Sequence, residues 1–138
     1  MFHTLRFMKI RSFLLSLFLT TSLAVAADVA KVTPADAAKR VADGKAVLVD
    51  VREAAEWKES GVAGPAVLLA KSDFDGAQTE WKDFLAKNGD KEIIVYCRSG
   101  RRSETVAAAL AAKGLKVSNV GGFKDWTDAG LPVRKSEK

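Results

Sequence analysis

The sequence predicts an α/β domain built on a mostly parallel sheet. Three observations carry that reading. Short apolar runs alternate along the chain with segments of helical spacing. Two of those runs, Ala46 to Val51 and Glu92 to Tyr96, are nearly unbroken in apolar residues, the pattern of strands buried on both faces. Glycines stand at the junctions, including Gly44, Gly61, Gly100, Gly114 and the pair Gly121-Gly122.

The chain has 138 residues, enough for one domain with a core, and its 48% hydrophobic and 28% charged content is ordinary for a globular protein. It opens with an export signature. Arg6, Lys9 and Arg11 form a basic region, Phe13 to Leu23 an apolar one, and Ala24-Val25-Ala26 a small-residue cleavage site. Residues 1–26 are therefore expected to be a cleaved signal and residues 27–138 a single domain, periplasmic or secreted. The apolar run is shorter than the about 20 residues a membrane span needs, so no stable membrane anchor is expected. Subtracting the three basic residues of the signal from the formal net charge of +5 leaves +2. That is too little to point to nucleic acid.

The domain then reads in order. Thr33, Pro34 and Asp36 open a helix as N-cap, first-turn proline and dipole-complementing acid, and Gly44 closes it. The strand Ala46 to Val51 follows, then a short helix from Ala54 to Glu59, broken by Gly61 and Gly64-Pro65. Ala66 to Leu69 reads as a short strand. Trp81, Phe84 and Leu85 share one face of a helix from Glu80 to Lys87 and are read as core. After the strand Glu92 to Tyr96 comes a helix from Ser103 to Lys113, a strand from Lys116 to Val120, and a short helix through Trp126.

Between the strand ending at Tyr96 and the next helix lies Cys97-Arg98-Ser99-Gly100-Arg101-Arg102-Ser103. It contains the only cysteine in the chain, which excludes an intrachain disulfide and a paired-cysteine redox motif. Ligands of parallel α/β sheets sit beyond the carboxyl ends of strands, where Cys97 is placed. A helix N-terminus carries about half a positive charge. Three arginines are unfavourable there unless an anion joins them, and Gly100 lets the backbone turn several N–H groups inward as an anion site. Lowering the thiol pKa by two units takes about 2.7 kcal/mol. The helix dipole supplies only about 1 kcal/mol of that, so N–H hydrogen bonds and the arginines are expected to supply the rest. The anion is then the thiolate, or a group carried on its sulfur.

The loop resembles the catalytic loop of the rhodanese family, the thiosulfate and persulfide sulfurtransferases. Its Cys-x-x-Gly-x-Arg-Ser pattern is matched by Cys97, Gly100, Arg102 and Ser103. Asp50-Val51-Arg52-Glu53 with Glu56-Trp57 is similar to the element after the family's first core strand. Gly121-Gly122, Trp126, Gly130 and Pro132 are similar to its closing signature. The resemblance implies a five-stranded parallel sheet with helices on both faces. It implies Cys97 as the catalytic nucleophile, carrying sulfur as a covalent persulfide, with no cofactor and no metal. Arg98, Ser99, Gly100, Arg101, Arg102 and Ser103 would form the anion-binding loop. The partners would be a small anionic sulfur donor and a thiol or cyanide acceptor. The family usually has a Gly-His-Ile segment where this chain has Ser60-Gly61-Val62; its only histidine is His3. An ionised thiol needs no histidine base, so this departure is expected to affect packing or substrate access more than chemistry.

Asp50, Arg52 and Glu53 are candidates for a supporting role, with capping and ion pairing at the strand end as the plainer reading. Two other functions compete for the loop. One is a persulfide carrier or binding module without turnover. The other is a cysteine phosphatase, whose loop needs an arginine six positions after the cysteine; here that position is Ser103.

Overall fold

The computed structural model describes residues 29–138, and the export signal expected over residues 1–26 lies outside them. The described elements, in chain order, are β1 (Ala30–Lys31), α1 (Pro34–Ala42), β2 (Ala46–Asp50), α2 (Ala54–Ser60), β3 (Val62–Ala63), β4 (Val67–Leu68), α3 (Lys71–Asp75), α4 (Thr79–Asn88), β5 (Glu92–Cys97), α5 (Arg101–Ala112), β6 (Val117–Gly122), α6 (Phe123–Asp128) and β7 (Val133–Arg134). Five strands form one sheet in the order β1-β6-β5-β2-β4, and every pairing in it is parallel. The expected architecture is present.

The sheet is covered on both faces because its strands are apolar in both directions. Along β5, Ile93, Val95 and Cys97 point to one face and Ile94 and Tyr96 to the other. The first face packs against Phe74 of α3, Trp81 and Phe84 of α4, and Val106, Ala107 and Leu110 of α5. The second packs against Ala37 of α1, Trp57 of α2 and Trp126 of α6. Trp81 lies edge-on to Phe74 and to Phe84 at 5.1 and 6.0 Å, confirming the helical stripe read as core. Each such pair adds about 0.5–1.5 kcal/mol beyond area burial.

Thr33 caps α1 as expected, its hydroxyl accepting from the Asp36 N–H at 3.2 Å. Four short elements escape sequence reading. β1, β3 and β7 have two residues each and α3 has five, too few for any periodicity to register. β3 and β7 pair antiparallel in a separate ribbon, and Arg134 donates to the Gly64 and Ala66 carbonyls at 2.9 and 2.7 Å. This ribbon also accounts for Gly61. Its φ is +77°, and a Cβ there would stand 2.8 Å from the Arg134 carbonyl oxygen. A glycine at this position is what lets β7 approach.

Candidate active site

Three chain segments meet at the carboxyl end of the sheet: the turn from β5 to α5, the turn from β2 to α2, and the junction of β6 with α6. α5 begins at Arg101, two residues earlier than the sequence suggests. The reason is Gly100. With φ at +93° it turns the chain straight from the strand into the helix, so Arg101 and Arg102 lie in the first helical turn.

Cys97 is the last residue of β5 and fully buried. Its Sγ accepts from the Gly100 N–H at 3.0 Å and lies 3.4 Å from the Ser103 hydroxyl. Burial pushes the thiol pKa up. Hydrogen bonds from the Ser103 hydroxyl and from the N–H groups of Ser103, Gly100 and Ser99 outweigh that and hold it below its ordinary value. The leading causes are hydrogen bonds rather than the arginines, which revises the expected division of labour.

The arginines divide among three surroundings. Arg102 makes two hydrogen bonds of 2.7 Å to the Glu56 carboxylate on α2. An acid from another helix, 46 residues away in sequence, thus joins Glu104 at this helix start. The Arg102 contact holds the Glu56 carboxyl down to about 2, and Glu56 in turn raises the Arg102 guanidinium pKa. Arg98 and Arg101 are exposed and form no ion pair among the described residues. They stand on opposite sides of the loop. Arg98 lines a cleft of about 350 Å³ with Arg52, Glu56 and Phe123. Arg101 lines a more open groove of about 910 Å³ with Lys31, Asn119 and Asp125.

The loop is held from below by β6. Gly122 is the register partner of Cys97, and a Cβ on Gly122 would stand 2.4 Å from the Arg98 carbonyl oxygen. A Cβ on Gly100 would stand 3.1 Å from Gly121 Cα. The paired glycines of the sequence therefore make room for the backbone of the cysteine loop. A register shift between Val95 and Tyr96 precedes them, so that Val95 faces Asn119 while Tyr96 faces Gly121. Such irregularities re-aim side chains beside active sites.

Asn119 was not a sequence candidate. Its amide accepts from the Ser103 hydroxyl at 2.9 Å and the Gly121 N–H at 3.0 Å, and donates to the Gly100 carbonyl at 3.1 Å and to Glu104 at 2.9 Å. Nothing in the sequence around Asn119 signals this, because every partner but Gly121 lies 15 or more residues away.

The β2 end is a closed ion pair. Arg52 donates from its backbone N–H and Nε to Asp50 Oδ1, at 2.9 and 3.1 Å, and from Nη2 to Oδ2 at 2.8 Å. It also donates to the Ser60 hydroxyl and the Gly61 carbonyl, both at 2.8 Å. Its guanidinium lies 4.4 Å from the centre of the Phe123 ring. Burial alone would lower the Arg52 pKa, but Asp50 raises it. Beside them Tyr96 accepts from the Ala63 N–H at 3.0 Å, and burial, reinforced by Asp50, pushes its phenol up, keeping it neutral. Glu53 forms a capping box with Glu56 at the start of α2 and accepts from the Ser72 N–H and hydroxyl at 3.1 and 2.7 Å. The plainer reading of Asp50, Arg52 and Glu53, capping and ion pairing, describes what they touch.

Residues 33–129 match the family of the Rhodanese-like domain. The thiosulfate sulfurtransferase GlpE of Actinobacillus succinogenes is 35% identical over 105 residues, covering 75% of this chain and 88% of that protein. Two solved structures share the fold. A rhodanese-related protein from Thermoplasma volcanium aligns with a TM-score of 0.65 at 25% identity, covering 78% of this chain and 99% of that one. A Rhodopseudomonas palustris protein, described as of unknown function and a possible tyrosine phosphatase, aligns at 0.64 with 27% identity, covering 77% and 85%.

Proposed function

The chain belongs to the rhodanese-like family, and on that premise we propose that it is an exported sulfurtransferase, moving sulfane sulfur from thiosulfate or a persulfide to a thiol or cyanide through a Cys97 persulfide. One observation carries the reading. The Cys97 sulfur sits at the floor of a loop that offers it N–H and hydroxyl donors, with two arginines at the rim that form no ion pair among the described residues.

The chemistry follows from that placement. The Cys97 thiolate attacks the outer sulfur of thiosulfate, the sulfur–sulfur bond of the donor breaks, and sulfite leaves with its electron pair. Cys97 is left as an anionic persulfide. The loop N–H groups that favour the thiolate are placed to stabilise this anion as well. An acceptor thiolate then attacks the outer sulfur and Cys97 leaves as thiolate, closing a ping-pong cycle. Arg98, in the cleft with Arg52, attracts the sulfonate end of the donor. Arg101 contributes charge from the opposite side. Arg102, occupied by Glu56, braces the loop. Export rests on the N-terminal signal signature, and no helix among the described residues is long and apolar enough to cross a membrane.

The phosphatase reading has a relative's description in its favour and the loop against it. The sixth position after Cys97 is Ser103, and the nearest arginine, Arg102, is bound to Glu56. Incubation of the purified protein with thiosulfate, followed by intact mass, separates the two. A gain of one sulfur that Cys97→Ala lacks supports the transferase. Hydrolysis of an aryl phosphate with no sulfur gain supports the phosphatase. Repeated turnover with cyanide, measured as thiocyanate, separates an enzyme from a carrier that is loaded only once.

A further inference from the structure

The Ser103 hydroxyl stands between two acceptors. Its Oγ is 2.9 Å from Asn119 Oδ1 and 3.4 Å from Cys97 Sγ, and all three residues are buried. A serine hydroxyl has one hydrogen, so it donates to one of them at a time. The orientation of the Asn119 amide is dictated by its surroundings. Its nitrogen meets two acceptors, the Gly100 carbonyl and the Glu104 carboxylate, while its oxygen meets the Gly121 N–H. The reverse orientation would set oxygen against oxygen twice.

We propose that Asn119 is a positioning residue that holds the Ser103 hydrogen while Cys97 is a neutral thiol and yields it to the sulfur once the sulfur is an anion. With a neutral thiol, the S–H donates to Ser103 Oγ and Ser103 donates to Asn119, a chain with every donor used. When the thiol proton leaves to solvent, the sulfur becomes the stronger acceptor, because a hydrogen bond to a charged group is roughly twice as strong as a neutral one. The hydroxyl turns to it. Asn119 Oδ1 keeps the Gly121 N–H at 3.0 Å, so no buried acceptor is orphaned by the turn. The same motion serves thiolate and persulfide alike, since both place negative charge in the loop. Its use in turnover rests on the proposed function; the exchange itself needs only ionisation of the thiol.

The test is the rate of Cys97 alkylation by iodoacetamide against pH, in four proteins: wild type, Asn119→Ala, Ser103→Ala and the double variant. The charged groups around the loop, Arg98, Arg101, Arg102 with Glu56, and Glu104, are common to all four. Removing the resting acceptor penalises only the neutral thiol. Asn119→Ala is therefore expected to move the alkylation midpoint down, by about half to one pH unit, when Ser103 is present. With alanine at position 103 it is expected not to move it. An upward or absent shift beside Ser103, or equal shifts in both backgrounds, overturns the proposal and leaves Asn119 a loop support only. If Asn119→Ala does not fold, Asn119→Leu, close in size and without an acceptor, serves. The same downward shift is expected beside Ser103 and none beside alanine, and equal or absent shifts overturn the proposal. Alkylation needs no sulfur donor. The expected shifts in a protein that takes no sulfur from thiosulfate would sink the transferase reading alone. Sulfur uptake with equal shifts would sink this one alone.

Discussion

The ends of β2 and β5 lie side by side, Asp50 in register with Tyr96, and each carries an acidic group at the rim of the sheet. They are built in opposite ways. Asp50 is buried and saturated by one residue, Arg52, which reaches it through its backbone N–H and two guanidinium nitrogens. Cys97 is buried too, but its donors are a backbone N–H and a hydroxyl, and Arg98 and Arg101 at the loop rim form no ion pair among the described residues. The first end is electrically closed and contributes rigidity. The second keeps its positive field, which the proposed function assigns to an anionic donor. A charge satisfied within the fold is architecture; a field left unsatisfied beside it marks the place for a ligand.

The sharpest way to break this contrast is to remove the sulfur. Cys97→Ser keeps the side chain's size but not its nucleophilicity, and sulfur transfer should fall at least about 10³-fold in a thiocyanate assay. Residual activity near wild type would return the loop to a structural role. Next in size is the closed end. Arg52→Ala leaves Asp50 buried without a partner, which should cost about 3–5 kcal/mol in a denaturant titration. A cost under about 1 kcal/mol would mean that water reaches Asp50 and that the end is not closed.

The open end can then be dissected through its two free cations. Arg98→Glu should raise the KM for thiosulfate about tenfold, equivalent to about 1.4 kcal/mol, with a smaller change in kcat. Arg101→Glu, facing the other groove, should raise it less. Equal effects would erase the assignment of the donor to the smaller cleft. The smallest effect is expected at Glu56→Gln. The pair with Arg102 is only partly exposed to solvent, so its loss should cost about 1 kcal/mol at neutral pH. The Glu56 carboxyl is held at about 2 in the folded protein. The stability it lends is therefore present above the unfolded value, about 4.3, and disappears as pH falls through that interval towards 2. The glutamine variant should lack that part of the acid dependence.

What could be read in advance follows the distance over which the signal runs. Cys97 to Ser103 is contiguous, and its glycine and arginines declare an anion site within seven residues. The near-continuous apolar runs of β2 and β5 are equally local, and so is the cap at Thr33. Glu56 and Asn119 reach the loop from 46 and 16 residues away, and single-chain spacing says nothing about such pairs. The glutamate reads as part of a helix start and the asparagine as a polar residue in a strand. Without Glu56 in view, the three arginines look alike; the structure separates one brace from two free cations. The helix start moved for a related reason. The helix reads from Ser103, yet the left-handed turn at Gly100 starts it at Arg101 and the Ser103 hydroxyl faces the sulfur.

The complete burial of Cys97 has a consequence for self-protection. A disulfide requires two sulfurs to come within about 2.05 Å and their Cβ atoms to about 3.5–4.5 Å. A second folded copy cannot bring its own buried sulfur so close without dismantling both loops. Dimerisation through a Cys97–Cys97 disulfide is thereby blocked by shape. On the proposed function the same wall would sort acceptors: a thiol on a small molecule or a protruding segment would reach a sulfur carried on Cys97, and one lying flush on a broad protein face would not.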